Sequence, residues 1–226
     1  MHIPDGFLNN NLAGGLLVGA LGMLGYCFSK VFKAVTVFAG VSAGNNGNTN
    51  TRFNSFGSSK GVDKYFQKLV IIALWVFAFQ MFNIPVQSAT SAHLIGGVFA
   101  AVLVGPFLGF ITISYVLVVQ SLFSDGGIMA LGANIFNMAF IGSFASYYIY
   151  KILSRNYYIA ILLACFFSVL IASLSCLVEL GISGTISFTT AFKDMMKLHL
   201  AAAFLETIIT LALLKTFKNL IGDINE

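Results

Sequence analysis

Residues 93–124 read HLIGGVFAAVLVGPFLGFITISYVLVVQSLFS, and the way this stretch crosses a membrane decides the topology of the whole chain. It could form one long helix, or two short helices that meet at Gly105-Pro106. Proline has no N–H donor and disfavours a helical conformation in the residue before it, so the chain is expected to break there. The two alternatives place all later segments on opposite sides of the membrane.

The distribution of basic residues favours the broken helix. With two short helices the chain has seven spans and its amino terminus is outside, and ten of the twelve Lys and Arg residues lie inside. Only Lys193 and Lys197 then lie outside. With one long helix the split becomes eight to four, which fits the positive-inside rule less well. We therefore predict transmembrane helices at about 8–29, 67–84, 92–105, 107–124, 131–152, 157–178 and 197–217.

Composition places the protein in the membrane. Its mean hydropathy is +0.90, 58% of its 226 residues are hydrophobic and only 9% are charged, whereas soluble domains carry about 25% charged residues. We predict an all-α, polytopic helix bundle that forms a single membrane domain over 1–226, with a cytoplasmic carboxyl terminus. A segment rich in Gly, Asn and Ser, at about 43–63, is predicted to be a flexible cytoplasmic loop.

The amino terminus offers nitrogen ligands for a metal ion. The chain begins MHIPDGFL, without the basic region of a cleavable signal peptide, so the Met1 amine is expected to be retained. That amine, the His2 peptide nitrogen and the His2 Nδ1 can close two fused chelate rings on one ion. Nitrogen-rich tetragonal sites suit Ni²⁺ or Cu²⁺, and His93 is a candidate for the fourth position. The alternative is an exposed, solvated terminus.

Polar side chains at membrane depth are further candidates for function. Several of them could orient the imidazoles of a metal site; these are Asp5, Gln80, Asn83, Asp125 and Asn134. Asn134 and Asn137 share a helix face and could instead hold helices together. His199 and Glu206 are seven residues apart, hence on one helix face, and Glu206 could bond His199 or a backbone group.

Four motifs resemble a known family. They are MHIPDGFL at 1–8, TSAHLIGG at 90–97, VQSLFSDGGIMALGANIFNM at 119–138, and the pair His199 and Glu206. Together they resemble the nickel and cobalt substrate-binding membrane components of energy-coupling factor transporters, the CbiM/NikM family. The order of the motifs is consistent over nearly the whole chain. The loop at about 43–63 departs from the family, which usually has a shorter basic connection there.

The resemblance implies a structure, a ligand set and partners. It implies seven helices, with residues 1–8 dipping into the bundle from outside, and metal ligation by the Met1 amine, the His2 amide and imidazole, and His93. It implies capture of Ni²⁺ or Co²⁺ as transported substrate, without a resident cofactor, in the cell membrane of a prokaryote. The implied partners are a transmembrane coupling protein, two ATP-binding subunits and, in some cases, a small accessory membrane protein.

The sequence motifs exclude several kinds of enzyme. The chain contains no GxxxxGK[ST] phosphate loop and no HExxH, so ATP hydrolysis is expected in partner subunits. The alternative is a self-sufficient secondary transporter or channel for a divalent transition-metal cation. That function needs a polar pathway across the membrane, whereas all the polar candidates except Glu206 are predicted near the outer face.

Overall fold

Helices dominate the computed structural model, which describes residues 2–44, 59–82, 84–86, 90–123 and 125–225. In chain order the helices are α1 (Asn10–Gly44), α2 (Ser59–Gln80), α3 (Gly97–Leu122), α4 (Leu131–Asn134), a π-helical segment (Ile135–Ala145), α5 (Ser146–Ile152), α6 (Tyr157–Ile182) and α7 (Phe188–Asn225). Two short antiparallel strands, β1 (Ile84–Val86) and β2 (Thr90–Ala92), lie between α2 and α3. The prediction of a helical membrane protein is confirmed. The strand pair β1–β2 was not predicted.

Four helices in the described part of the chain are long and apolar enough to cross a membrane. They cover Asn10–Val35, Gly97–Leu122, Tyr157–Ile182 and Ala191–Phe217, while the apolar part of α2, Phe66–Gln80, is shorter. The predicted span at 131–152 consists of α4, the π-helical segment and α5, and the backbone keeps helical angles at both junctions. The count of seven spans stays a prediction.

The break inside α3 occurs at the glycine before the proline. Gly105 has φ 83° and ψ 168°, a non-helical conformation within the helix. A Cβ atom added to Gly109 would lie 2.9 Å from the Cα of Ala101. In a straight helix, residues eight apart are separated by about 12 Å along the axis. The two halves of α3 therefore fold back against each other, as the sequence at 93–124 predicted.

Several helix ends differ from the prediction. Helix α1 extends to Gly44 instead of ending near residue 29, and α7 covers Phe188–Asn225 instead of 197–217. The extensions contain charged residues, so a prediction based on apolar residues ends the span before them. A helix can nevertheless continue beyond the hydrocarbon layer, where charged residues are tolerated. The loop predicted at about 43–63 is too long, because its two ends are helical; residues 45–58 lie outside the described residues.

Close backbone contacts fix the elements around the site. A Cβ added to Gly97, at the start of α3, would overlap the carbonyl group of Gly142 in the π-helical segment. A Cβ added to Gly132, in α4, would overlap the backbone of Leu17 in α1. No side chain separates these backbones, so α3 packs directly on the π-helical segment and α1 packs directly on α4.

Candidate metal centre

The rings of His2 and His93 lie side by side. Their centroids are 4.5 Å apart with an interplanar angle of 37°, and the two residues are only 4% and 2% exposed. A bond from a transition-metal ion to an imidazole nitrogen is about 2.0–2.1 Å long, so two rings this close can direct one nitrogen each to a single ion. The structure thus brings together two predicted ligand residues, while Met1 lies outside the described residues.

The His2 imidazole contacts a carboxylate. Its Nδ1–H donates to Oδ1 of Asp125, with a distance of 3.0 Å between the two atoms. Burial lowers the pKa of His2, and the hydrogen bond with Asp125 opposes this shift. A lowered pKa favours the neutral imidazole, the form that binds metals. However, Nδ1 is the nitrogen required by the predicted chelate, so closing the chelate exchanges the contact with Asp125 for one with the metal.

The backbone next to His2 is held by an amide side chain. The N–H of Ile3 donates to Oδ1 of Asn134 at 2.8 Å, and Nδ2 of Asn134 donates to the carbonyl of Ile3 at 3.2 Å. The N–H of Gly127 donates to the same carbonyl at 2.9 Å. Asn134 therefore positions the peptide backbone of the amino-terminal segment next to His2.

Asp5 anchors the same segment to the start of α4. Its carboxylate accepts hydrogen bonds from the backbone N–H groups of Ile128 at 3.2 Å, Met129 at 2.7 Å and Ala130 at 3.4 Å. These N–H groups lie just before α4 and have no partner within a helix. By accepting them, the carboxylate of Asp5 acts as a helix cap. Gly127 is required beside it, because an added Cβ would overlap Asp5.

Glu206 holds the loop at 93–96, which carries His93. The carboxylate of Glu206 accepts the N–H of Ile95 at 2.7 Å and that of Gly96 at 2.8 Å. Sequence analysis left a backbone group or His199 as partner, and the structure assigns the backbone. Gln80 also supports this loop, since its Nε2 donates to the carbonyl of Ile95 at 2.8 Å.

The remaining histidine nitrogens are defined by backbone contacts. Nδ1–H of His93 donates to the carbonyl of Leu94 at 2.8 Å, so its Nε2 carries the lone pair. Nδ1–H of His199 donates to the carbonyl of Met195, also at 2.8 Å. Among the described residues, the buried Nε2 atoms of His93 and His199 have no hydrogen-bond partner. Asn83, a further candidate, lies outside the described residues.

Two buried polar residues were not predicted from the sequence. Glu179, in α6, accepts a hydrogen bond from Nδ2 of Asn137 at 2.7 Å and is 5% exposed. This bond joins α6 to the π-helical segment, as one of the two alternatives for Asn137 predicted. Gln120, in α3, is fully buried. A carboxylate at the end of an apolar run is a recognised sign of function and could have identified Glu179. Gln120 lies within the motif VQSLFSDGG, but nothing in that motif marks this residue as functional.

Side chains alone do not complete a metal site here. Within the ranges that the structure describes, no group of three His, Cys, Asp or Glu side chains is placed to hold a metal ion. The two imidazoles of His2 and His93 therefore need further donors from another source, such as backbone nitrogen or a terminal amine.

Residues 53–223 match the profile of the CbiM family, which is described as the cobalt uptake substrate-specific transmembrane region. The chain is also 34% identical, over 192 residues, to a putative fused nickel transport protein NikMN of Archaeoglobus fulgidus. That match covers 83% of this chain and 55% of the relative. The chain thus spans about half the length of this curated relative.

Solved structures show the same arrangement of helices. The crystal structure of a transition metal transporter is 27% identical, covers 98% of this chain and 94% of its own, and superposes with a TM-score of 0.80. The S component of a bacterial ECF transporter, 17% identical with a TM-score of 0.54, shares the fold over 71% of this chain and 98% of its own. The chain belongs to the CbiM family of membrane proteins, as its motifs predicted.

Proposed function

We propose that this chain is the substrate-binding membrane component of an energy-coupling factor transporter, and that it captures Ni²⁺ or Co²⁺ at the outer face for ATP-driven uptake. The observation that carries the proposal is the close approach of the His2 and His93 rings in a buried place. Membership of a cobalt-uptake family supplies the transported class, and the two imidazoles supply nitrogen donors suited to it.

The proposed ligand set has four nitrogens, with Met1 as the amino terminus. They are the Met1 amine, the peptide nitrogen and Nδ1 of His2, and Nε2 of His93. A small set of nitrogens favours Ni²⁺ or Co²⁺ over Mg²⁺ and Ca²⁺, which prefer oxygen ligands. In this proposal Asp125, Asn134 and Asp5 act indirectly by holding the amino-terminal segment, and Glu206 and Gln80 hold the loop of His93.

The proposed topology has seven crossings, with the amino terminus outside. The ten-to-two distribution of basic residues supports it, as does the fold-back of α3 at Gly105. Each half of α3 then counts as one crossing, with the site and the 125–130 loop on the outer side. Helices this short can cross only where the bilayer adapts or where neighbouring helices cover their ends.

The proposed source of energy lies in other subunits. The chain has no phosphate-binding loop, and its fold resembles that of an S component. We therefore propose a transmembrane coupling protein and two ATP-binding subunits as partners, with a small accessory membrane protein in some assemblies. The alternative of a self-sufficient transporter loses support. Glu206 is the one polar candidate predicted away from the outer face, and its carboxylate bonds the backbone of the loop that carries His93.

Metal titration of the purified protein tests the binding function. The full chain is offered Ni²⁺, Co²⁺, Mg²⁺ and Ca²⁺ separately, and then Ni²⁺ and Co²⁺ in competition. Stoichiometric binding of one metal ion, for Ni²⁺ or Co²⁺ only, is expected. Failure to bind either ion would remove the basis of the proposal.

Uptake in cells tests the energy source. Labelled metal is offered to cells making this chain with the coupling subunits, and to cells in which the ATP-binding subunits carry a phosphate-loop Lys→Ala substitution. Uptake is expected only with intact ATP-binding subunits. Equal uptake by the chain alone would instead establish the self-sufficient transporter.

A further inference from the structure

A pocket near the proposed metal centre has Asp125 in its wall. It has a volume of about 320 Å³ and is lined by Phe77, Met81, Gln120, Phe123 and Asp125. These residues come from the last turns of α2 and α3 and from the loop that follows α3. The carboxylate of Asp125 is shared between the two places, since its Oδ1 accepts the hydrogen bond from Nδ1 of His2.

Gln120 is the unexplained polar group of this pocket. Its side chain is 0% exposed, and among the residues that the structure describes neither Oε1 nor Nε2 has a hydrogen-bond partner. Burying an amide without a hydrogen bond costs roughly 1–3 kcal/mol by mutational data, so such a group usually serves a ligand or an ordered water. The surrounding aromatic and thioether side chains make the amide and the carboxylate of Asp125 the polar groups of the lining.

We infer that this pocket is the entry site for the hydrated metal ion, and that Gln120 and Asp125 hold it through oxygen atoms before it passes to His2. The inference rests on the proposed function. Six water molecules occupy roughly 180 Å³ at about 30 Å³ each, so an ion with its first hydration shell fits the pocket. The carboxylate of Asp125 supplies the negative charge in this lining, which attracts cations.

The chemistry of the entry site differs from that of the final site. Amide and carboxylate oxygens bind hydrated divalent ions generally, including Mg²⁺, so this pocket collects cations without choosing among them. When the ion binds Asp125, it competes for the carboxylate that holds Nδ1 of His2. The ring is thereby released toward the metal, and the nitrogen ligands then make the selection.

Stopped-flow binding of Ni²⁺ to the purified full chain tests the inference. The rate constants of association and dissociation are measured with a dye that reports free Ni²⁺, for the native protein and for Gln120→Met, which keeps the length of the side chain without its amide. An entry site speeds passage in both directions, so both rate constants should fall together by about tenfold and leave the dissociation constant nearly unchanged. Ser121→Ala is the control, because the Ser121 hydroxyl bonds the carbonyl of Val118 and does not line the pocket.

A second variant keeps the test decisive if Gln120→Met fails to insert. Gln120→Glu adds a negative charge to the pocket, so association should become faster and more sensitive to ionic strength. Native rates in both variants would overturn the inference, and so would a change in the dissociation constant with an unchanged association rate, which marks a role in the final site. If the native protein binds no Ni²⁺ or Co²⁺, the proposed function itself fails; if it binds with rates insensitive to residue 120, only the entry site fails.

Discussion

Asn134 pairs with both backbone groups of Ile3, in the way that a neighbouring strand would. The peptide nitrogen of His2 is adjacent to this pair, so the position of a proposed ligand depends on an amide that does not bind the metal. Glu206 has the same relation to His93, because it holds the N–H groups of Ile95 and Gly96, the two residues that precede α3. Each imidazole thus has a dedicated support on a different helix.

The imidazoles themselves are tested by truncation. In our proposal His2→Ala and His93→Ala each remove one nitrogen from a set of four, so high-affinity binding of Ni²⁺ or Co²⁺ should be lost while insertion remains normal. Metal titration and size-exclusion chromatography in detergent measure the two properties. Met129→Ala, which changes an exposed side chain beside the site, should bind normally. Near-native affinity in either histidine variant would show that the ligand set is wrong.

The support by Asn134 can be separated from general helix packing. Asn134→Ala should weaken metal affinity by about 10- to 100-fold, as is usual for groups that position a metal ligand. The matched control is Asn137→Ala, one turn further along the same helix, where the amide bonds Glu179 of α6. It should lower the thermal midpoint without a comparable loss of affinity. Equal losses in both variants would mean that Asn134 acts only through the fold.

Sequence reasoning reached some of these residues and not others. The meeting of His2 and His93 follows from topology, because two segments on one membrane face can come together. The partners of Glu206 and Gln80 could not be predicted, since they are backbone groups whose positions depend on the path of residues 93–96 in space. Gln120 was missed because a single amide within an apolar helix gives no periodic signal, and its burial depends on the neighbouring α2.

At the scale of elements, the fold-back at Gly105 separates α3 into two short helices. Its conformation, φ 83° and ψ 168°, belongs to a region that is essentially restricted to glycine. No atom lies within 4 Å of a Cβ added there, so a side chain at this position would meet backbone strain and no steric overlap. The break was predicted from Pro106. The extra turns of α1 and α7 were not predicted, because the prediction followed apolar residues and these turns contain charged ones.

Substitution of Gly105 isolates the energy of this turn. Gly105→Ala should destabilise the protein by about 1–3 kcal/mol, the usual cost of such a conformation for a residue with a side chain. Gly14→Ala is the control, since Gly14 lies within α1 and an added Cβ also meets no atom within 4 Å; it should be neutral or stabilising by up to about 1 kcal/mol. Thermal unfolding in detergent compares them. Equal stability would mean that the turn is not strained by a side chain.

Labelling of introduced cysteines tests the direction of the helices. With seven crossings, a cysteine at Ser154 should react only from the cytoplasmic side and one at Ser187 only from outside. Both positions are exposed, whereas the native Cys27, Cys165 and Cys176 are buried. An impermeant thiol reagent on intact cells and on inverted vesicles measures the accessibility. The reverse result at both positions would restore a single span over 93–124.

At the scale of the whole molecule, the amino-terminal segment joins distant parts of the chain. Ile3 bonds Asn134, Asp5 bonds the start of α4, and the backbone N–H of Asn9 donates to the hydroxyl of Ser183 at 3.2 Å, at the end of α6. His2 and Ile3 are therefore buried against the bundle, while Asp5 and Asn9 stay exposed at its surface.

Extension of the chain tests the role of the terminal amine. An extra Ala before Met1 moves the amine by one residue, and the displaced terminus should no longer fit the proposed site. His2, now third in the chain, could then fill the planar set with backbone nitrogens, so that His93 has no coordination position left. Uptake of labelled Ni²⁺ or Co²⁺ should fall strongly in cells that also make the coupling subunits. A tag after Glu226 is the control and should leave uptake unchanged. Equal uptake by the extended protein would contradict ligation by the terminus.

The separation between Ile3 and Asn134 also has a consequence for biosynthesis. The two are 131 residues apart, and Asn9 and Ser183 are 174 apart. At roughly 5–20 residues per second, the segment made first waits on the order of 10 s for the amide that holds it. The two parts of the proposed metal site are thus translated seconds apart, and the site can assemble only after the second part.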